Sequence, residues 1–443
     1  MSRYAVNREA KKSLGWSSMR VDKDAQDLIR GVLDKLSLEE QVEVRRNSEE
    51  LRETLVSLWR ENCKHLDLQA LQSQLLDQSL KQFMRRMRRH FRSVSLQGAQ
   101  LQEQLNLLDR CGIKELPNVR QCCIAWSSSN RALSNVTQWP LHALPKLLSR
   151  LRSLELELPL QVKFVEQFTE LKHLTLHASV NEHILGSIFT GCKCLTRLKL
   201  LGEQYESIAG IADCKQLRQL TLPVASFNAS SAFEILELPQ LQALELLLTK
   251  ADAEAIMAAA TLVLQQRAQQ LEYLQLNAQR MQQAADWLPQ LQLRRCKQLE
   301  TLALLNCQFA AANLHELYLP HYCSSAMFSH CQDMQDEQLL DFVRSSAQLT
   351  QLHLINCSQL TGQLLYDLYK LRASKLCELS PLCLHLRDCP NIEAEFQLNF
   401  LTQSVVQLSA APLEQDQSTQ QQQHMQFCFF TQPSVAAKSQ TKL

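Results

Sequence analysis

The pattern Leu-x-x-Leu-x-Leu recurs along this chain of 443 residues and constrains its fold more than any other feature. Clear copies begin at residues 151, 171, 195, 217, 241, 271, 299 and 349. The steps from 151 to 299 are 20, 24, 22, 24, 30 and 28 residues. Alternate leucines point one side of a strand inward, and one repeat buries that side only by stacking on its neighbours. The sequence therefore predicts an array of strands, each followed by a helix or looser segment.

Degenerate copies extend the pattern at both ends. They lie at Phe91/Val94/Leu96, at Val119/Cys122/Ile124, and at Leu384/Leu386/Cys389. Three copies close on a cysteine, at Cys307, Cys357 and Cys389. Over roughly residues 91–400 the chain resembles the cysteine-containing leucine-rich repeat. The resemblance implies an α/β fold, a leucine-rich-repeat solenoid shaped as a horseshoe, with parallel strands on the concave face and helices on the convex face.

One part of the array departs from the regular spacing. The copy Leu314, Leu317 and Leu319 begins only 15 residues after the preceding one, and the next clear copy follows 35 residues later. These steps predict an insertion or irregular turn near residues 305–335. Elsewhere Asn181 predicts the start of a helix that ends near Gly191, and Thr361 precedes another run at helical spacing.

Three short helices are predicted ahead of the repeats, within residues 24–63. The first carries apolar residues at helical spacing, namely Leu28, Ile29, Val32, Leu33 and Leu36. Ser37 with Glu40, and Asn47 with Glu50, predict capping boxes that begin the second and third helices. A domain of this size is marginal alone and gains stability by packing on the repeats or on a partner.

This stretch resembles an F-box, most clearly in VLDKLSLEEQVEVRR at residues 32–46, although Asn47-Ser48 replace the usual Val-Cys pair. The resemblance implies that the helices bind the small adaptor subunit and cullin assembly of an SCF-type ubiquitin ligase. The repeats would then hold a substrate protein. The residues that the resemblance places at the adaptor are Leu28, Leu33, Leu36, Leu38, Val42, Val44 and Leu51.

A second interpretation stays open, in which residues 24–63 only cap the apolar end of the array and the chain is a scaffold or inhibitor. The predicted organisation is a disordered segment 1–23, the helical domain 24–63, a helical linker or cap 64–90, the solenoid 91–403 and a Gln-rich tail 404–443. The tail lacks periodicity and is predicted to be disordered. Its apolar FCFF segment, residues 427–430, is expected to dock on the solenoid end or to contact a partner.

A dense basic run lies just before the repeats, comprising Arg85, Arg86, Arg88, Arg89 and Arg92. The favoured interpretation is the exposed face of a helix whose other side buries Phe83, Met84, Met87 and Phe91. The alternative is a nuclear-import signal or an anion-binding patch.

Charge and cysteine content add further expectations. The 46 basic and 45 acidic residues leave a net charge of +1, which gives no argument for nucleic acid. The first residues are polar and no apolar run approaches a membrane span, so neither secretion nor membrane insertion is expected. The 16 cysteines are then expected to be reduced and mostly buried, in the cytoplasm and/or nucleus.

No pattern of residues predicts catalysis. GxGxxG, GxxxxGK[ST], HExxH and GxSxG are absent, so no enzyme activity, cofactor or metal is expected, and no homo-oligomer is required. Binding is expected on the outward-facing positions of the strands, the default surface of a solenoid. The candidate substrate contacts are His173, Arg197, Lys199, Tyr273, Tyr318 and His353.

Overall fold

The computed structural model describes residues 23–126, 141–157, 162–202, 205, 207–223, 229–248, 253–278, 288, 291–309, 322–374, 382–395 and 424–429. The chain divides into two compact units. Unit 1 comprises residues 1–123 and 139–150, and unit 2 comprises residues 124–138 and 151–443.

Unit 1 begins with three helices, as predicted, and continues with short strands and further helices. The helices are α1 (Lys23–Asp34), α2 (Leu38–Asn47), α3 (Arg52–Asn62), α4 (Leu68–Gln74), α5 (Asp77–Met87), α6 (Leu101–Arg110) and α7 (Leu144–Leu147). Strands β1 (His65–Asp67) and β2 (Ser93–Gln97) pair in parallel. Strand β3 (Gln121–Ala125) begins in unit 1 and ends in unit 2.

The ends of the first helices test the predicted caps. Ser37 and Glu40 form the predicted capping box, with the Glu40 carboxylate accepting from the Ser37 N–H at 2.8 Å. The box predicted at Asn47 is wrong, because Asn47 is the last residue of α2 and α3 begins at Arg52. Arg45 and Arg46 occupy the last turn of α2, where positive charge stabilises a helix end.

The segment 64–90, expected as a helical linker or cap, contains a repeat strand as well as helices. Leu66 of β1 is fully buried, and its Cα partner in β2 is Val94, the central residue of the first degenerate copy. The strand-and-helix pattern therefore begins one repeat earlier than the sequence indicated.

Unit 2 alternates strands with α-helices or 3-10 turns. Its parallel strands are β4 (Ser153–Leu156), β5 (His173–Leu176), β6 (Arg197–Leu200), β7 (Gln219–Pro223), β8 (Ala243–Leu247), β9 (Tyr273–Asn277), β10 (Thr301–Leu305), β11 (Ser325–Ser329), β12 (Gln351–Ile355) and β13 (Leu382–Arg387). Its α-helices are α8 (Glu182–Gly191), α9 (Ala229–Leu236), α10 (Ala253–Arg267), α11 (Asp336–Ser345), α12 (Gln363–Ser374) and α13 (Pro390–Glu395). The predicted Asn181 cap is confirmed, since its side chain accepts from the His183 N–H.

The leucines of the repeat lie in register across these strands. Leu174, Leu198 and Leu220 are Cα partners on β5, β6 and β7, and all three are fully buried. Each strand pairs in parallel with the next one along the chain from β4 to β13. This geometry confirms the predicted α/β leucine-rich-repeat solenoid.

The insertion predicted near residues 305–335 is wrong where the structure describes that stretch. Strand β11 stands in register between β10 and β12, and its inward residues Ala326 and Phe328 are buried. With Cys323 these residues form a degenerate copy that lacks leucine, so the leucine pattern missed it. The segment 314–319 lies outside the described residues.

The turns that follow β10 to β13 share one construction. One residue in each turn has a left-handed φ of 49° to 56°, namely Asn306, His330, Asn356 and Asp388. Asn, Asp and His tolerate this conformation better than most residues do. The next residue is a buried cysteine, and the thiol of Cys357 lies 3.7 Å from the carbonyl oxygen of Phe328 in the preceding repeat. The predicted role of cysteine in closing the turn is confirmed.

Part of the Gln-rich tail is ordered. Strand β14 (His424–Phe429) pairs antiparallel with β13, so the predicted disorder is wrong for these six residues. Docking of the apolar segment on the solenoid end was one of the two outcomes expected for it. An unpaired strand edge is a site for unwanted pairing, and β14 covers that of β13.

Candidate protein-binding surfaces

The strand face of unit 2 consists of the outward positions of β4 to β13, which alternate with buried leucines. On β6, Arg197 and Lys199 point outward while Leu198 and Leu200 are buried. Neighbouring strands lie about 4.8 Å apart, so side chains at equal positions contact one another. The parallel register therefore brings four predicted site residues, His173, Arg197, Lys199 and Tyr273, onto β5, β6 and β9 of one face.

Glu245 on β8 is the buried polar centre of the strand face. Its side chain is only 8% exposed. The Lys199 ammonium lies 3.4 Å from one carboxylate oxygen, Thr221 donates to the same oxygen at 2.7 Å, and Gln219 donates to the other at 2.6 Å. A buried carboxylate is tolerated only when it is paired and hydrogen-bonded in this way.

Glu245 was missed by the sequence analysis. The only signal was a single acid within the apolar run ALELLL, residues 243–248, where alternation places it opposite the leucine side. Its partners lie 46 residues earlier on β6 and 24 and 26 residues earlier on β7, so only the strand register reveals the cluster.

Tyr273 extends this cluster onto β9. Its hydroxyl donates to the Gln275 side chain at 2.7 Å. Burial, with the negative charge of Glu245 as the second cause, raises the pKa of Tyr273 to about 12. The phenol is consequently protonated at neutral pH and available only as a neutral hydrogen-bonding group.

Arg197 and His173 form the basic part of the strand face. They are Cα partners on β6 and β5. Arg197 is exposed and forms no ion pair with the described residues. Burial, followed by the positive charges of Arg197 and Lys172, lowers the pKa of His173. The imidazole is therefore neutral at pH 7 in a locally positive environment.

His353 lies apart from this basic part, on β12. Its ring stacks on that of His385 with centroids 4.4 Å apart and planes 7° from parallel. Its Cα partner on β11 is Met327, which is half-buried. The remaining candidate, Tyr318, lies outside the described residues.

The α1 face of unit 1 consists of Leu28, Ile29 and Val32, which are 72%, 38% and 58% exposed. Their spacing places them on one side of the helix. Of the other residues predicted at the adaptor, Leu33 and Val42 are buried within the unit, and Leu36, Leu38, Val44 and Leu51 are half-buried. Leu28 is thus the predicted contact that is most open to a partner, and contact at the other six stays a prediction.

Gln41 ties the three N-terminal helices together and was also missed by the sequence analysis. Its amide nitrogen donates to the carbonyl oxygens of Leu33 and Leu36, at 3.0 and 2.9 Å. Its amide oxygen accepts from the Trp59 indole at 2.7 Å. Trp59 in turn packs edge-on against Phe83 of α5, with ring centroids 5.1 Å apart. These contacts join α1, α2 and α3 to one another and to α5, one of the two helices between β1 and β2.

The basic run lies on the exposed face of a helix, as the favoured interpretation predicts. Its five arginines are exposed, while Phe83, Met84, Met87 and Phe91 are all at most 1% exposed. The guanidinium of Arg85 donates to the Cys111 carbonyl oxygen at 3.2 Å. The run is thus the solvent side of α5 and of the turn that follows it.

Most of the described cysteines are buried. Burial raises the pKa of Cys192, Cys214 and Cys307 to about 12, so their thiols are protonated at neutral pH. Within the described ranges, no group of three or more His, Cys, Asp or Glu side chains is placed to hold a metal ion. Nor does any described helix have the length and apolar character needed to cross a bilayer.

Comparison with known proteins identifies similar folds only. No model of a protein family matches the sequence. No curated protein matches it either. An internalin (InlF) structure from Listeria monocytogenes str. 4b F2365 is 17% identical with a TM-score of 0.32, and the match covers 58% of this chain and 65% of the internalin chain.

Two further solved structures are similar at the same level. The complex of Rad7 and Elc1 from yeast gives 14% identity and a TM-score of 0.42, over 74% of this chain and 82% of the other. The Drosophila Toll–Spätzle complex gives 13% identity and a TM-score of 0.37, over 63% and 39%. The chain spans less than two thirds of the internalin and Toll-complex chains that it matches. Similarity at this level gives no indication of function.

Proposed function

We propose that this protein is a non-enzymatic receptor that presents a bound protein to an SCF-type ubiquitin ligase. The strand face of unit 2 holds the bound protein, and the α1 face of unit 1 binds the small adaptor subunit that joins it to the cullin assembly. The mechanism is proximity, since the ligase and its substrate are held on one chain. The cytoplasm or nucleus is the proposed location.

The exposure of the α1 face carries this proposal. Three apolar side chains on one side of a helix are costly to leave in water, and such a patch typically marks a protein-interaction site. The patch lies within the segment that resembles an F-box, and Leu28 belongs to the residues that the resemblance assigns to the adaptor. The contacts of Gln41 and Trp59 hold α1 in place, so a partner meets an ordered helix.

The alternative is that the N-terminal helices only cover one end of the repeat array. Burial of Leu33 and Val42 within unit 1 favours it, because those side chains are occupied by internal packing. In that case the α1 face binds no adaptor and the protein is a scaffold or inhibitor that acts through the strand face alone.

Capture of the purified adaptor by the full chain separates the two functions. The test variant is Leu28→Asp with Val32→Asp, and the matched control is Phe233→Asp, which charges an apolar side chain of unit 2 that is 62% exposed. We expect the wild type and the control to capture the adaptor and the test variant to lose capture by at least about tenfold. All three proteins should unfold at the same temperature, since the changed side chains are exposed. Absence of capture by the folded wild type would instead support the scaffold.

A further inference from the structure

The residues that directly precede the strands of unit 2 form a continuous rim. Their backbone N–H groups each donate to the carbonyl oxygen of the preceding rim residue at 2.8 to 2.9 Å, in the order Arg152, Lys172, Thr196, Arg218, Gln242, Glu272 and Glu300. These hydrogen bonds place successive rim residues on adjacent strands, about 4.8 Å apart.

The charge of the rim reverses along the array. Arg152, Lys172 and Arg218 are positive and exposed, whereas Glu272 and Glu300 are negative and exposed. Arg197 adds a further exposed charge to the positive part, because it follows the rim residue Thr196. Arg152, Lys172 and Arg197 form no ion pair with the described residues. Among the described residues, this part of the surface therefore carries positive charges without an ion-pair partner, while the nearby Lys199 is paired with Glu245.

The pKa of His173 responds to this positive charge. It stands next to Lys172 in the chain and beside Arg197 across the sheet, and both charges contribute to lowering its pKa. An anion bound here is expected to have the opposite effect on the imidazole.

A polar cleft adjoins the positive part. It has a volume of about 440 Å³, and its lining includes Arg218, Gln240, Gln242, Gln270 and the negatively charged Glu272. Its polar groups already bond to one another, since the Gln242 amide donates to the Glu272 carboxylate at 2.9 Å and Arg218 donates to the Gln240 amide oxygen at 3.4 Å. Arg218 and Glu272 belong to both features, so the cleft lies at the boundary between the positive and negative parts of the rim.

We propose that the positive part of the rim binds an extended, acidic segment of the partner protein, with its carboxylates against Lys172, Arg197 and Arg218. The proposal rests on the proposed function, in which unit 2 holds a protein partner, and it names the chemistry of that partner. The rim from Arg152 to Arg218 spans three strand spacings, about 14 Å, which matches roughly four extended residues.

Acidic residues on both sides of the positive part favour a peptide ligand over a nucleic acid. Glu155 and Glu157 lie on β4 and in the turn that follows it, and Glu272 and Glu300 continue the rim beyond Gln242. These carboxylates would repel a phosphate backbone that ran past either side of the short positive part. A short acidic segment that lies along the rim from Arg152 to Arg218 ends before it reaches Glu272 and Glu300.

The test is the binding of fluorescein-labelled octaglutamate to the full chain, measured by anisotropy at several salt concentrations. The variants are Lys172→Glu and Arg197→Glu. The matched control is Lys163→Glu, which reverses an exposed lysine in the 3-10 turn between β4 and β5 and not on the rim. Oligothymidylate of equal length serves as the competing polyanion, and thermal unfolding verifies that each variant is folded.

We expect each rim variant to weaken octaglutamate binding about tenfold and the control to change it less than about twofold. Binding of octaglutamate should also raise the pKa of His173. Three results would overturn the proposal: no binding by the wild type at low salt, an equal loss in Lys163→Glu, or tighter binding of oligothymidylate than of octaglutamate. None of them bears on adaptor capture through Leu28, so failure here is distinguishable from failure of the proposed function.

Discussion

The α1 face and the strand face differ in where their buried polar groups lie. In unit 1 the buried amide of Gln41 lies on the inner side of the helices, and the outward residues of α1 are apolar. In unit 2 the buried carboxylate of Glu245 lies on the outward side of the strands, among the candidate binding residues. Substitution of the outer residues of α1 should therefore leave folding unaffected, whereas substitution of Lys199 should change both the stability of unit 2 and the charge of the strand face.

The difference also separates how the two surfaces select a partner. An apolar helix face gains free energy from the area that it buries and discriminates mainly by shape. A strand face that carries uncompensated charge discriminates by the sign of the partner's charge and loses affinity as salt increases. The two proposed interactions should thus respond differently to ionic strength, and only binding at the strand face should be weakened by salt.

The largest expected effect is in the core of unit 1, at Trp59 on α3, against which α1 packs. Trp59→Ala removes a side chain that is 2% exposed and leaves the Gln41 amide oxygen without its donor. We expect it to reduce the free energy of unfolding by about 3–5 kcal/mol, whereas Leu28→Ala on the outer side should cost less than about 0.5 kcal/mol. Guanidinium unfolding followed by circular dichroism measures both. Similar losses in the two variants would show that the outer side is also part of the core.

An intermediate effect is expected at the polar centre of the strand face. Glu245→Ala leaves Lys199, Gln219 and Thr221 without their shared acceptor and should cost about 1–3 kcal/mol of unfolding free energy. The control is Glu155→Ala on the same face, whose carboxylate is 48% exposed and which should cost less than about 1 kcal/mol. If the control proved the more destabilising of the two, Glu245 would not be the centre of the cluster.

The smallest expected effect is a shift in a single titration. Arg197→Gln removes one of the two charges that lower the pKa of His173, so the pKa should rise, yet stay below 6.5 because burial is the larger cause. The unfolded chain binds this proton more readily, so the free energy of unfolding decreases as the pH falls below 6.5, and less steeply in the variant. NMR titration of the His173 ring measures the shift. Arg344→Gln on α11 is the control and should leave it unchanged.

The fold was predictable because its signal is local. Alternate leucines define the inward side of a strand, and their recurrence defines the stacking, so the eight clear copies predicted β4 to β10 and β12. Strand β11 was not predicted because its inward residues are Ala326 and Phe328. Strand β1 was not predicted because Leu66 is its single inward residue. Apolar character was present in both strands, but β11 carries no inward leucine and β1 carries only one.

The candidate surfaces were less predictable, because exposure depends on contacts between distant segments. Helical spacing grouped Leu28 with Leu33, yet the structure exposes the first and buries the second. The packing of α1 against α3 decides which of the two side chains is buried. The apolar spacing within α1 does not reveal that packing. Likewise Arg197 and Lys199 share one strand, and only the register with β8 shows that Lys199 is paired while Arg197 is not.

Hydrogen exchange of the full chain, with and without the purified ligase adaptor, tests the central claim most directly. We expect the adaptor to slow amide exchange in α1, at Leu28 to Val32, and to leave exchange in β4 to β13 unchanged. Unchanged exchange in α1 at adaptor concentrations that saturate a known F-box protein would contradict it and leave the N-terminal helices as a cap.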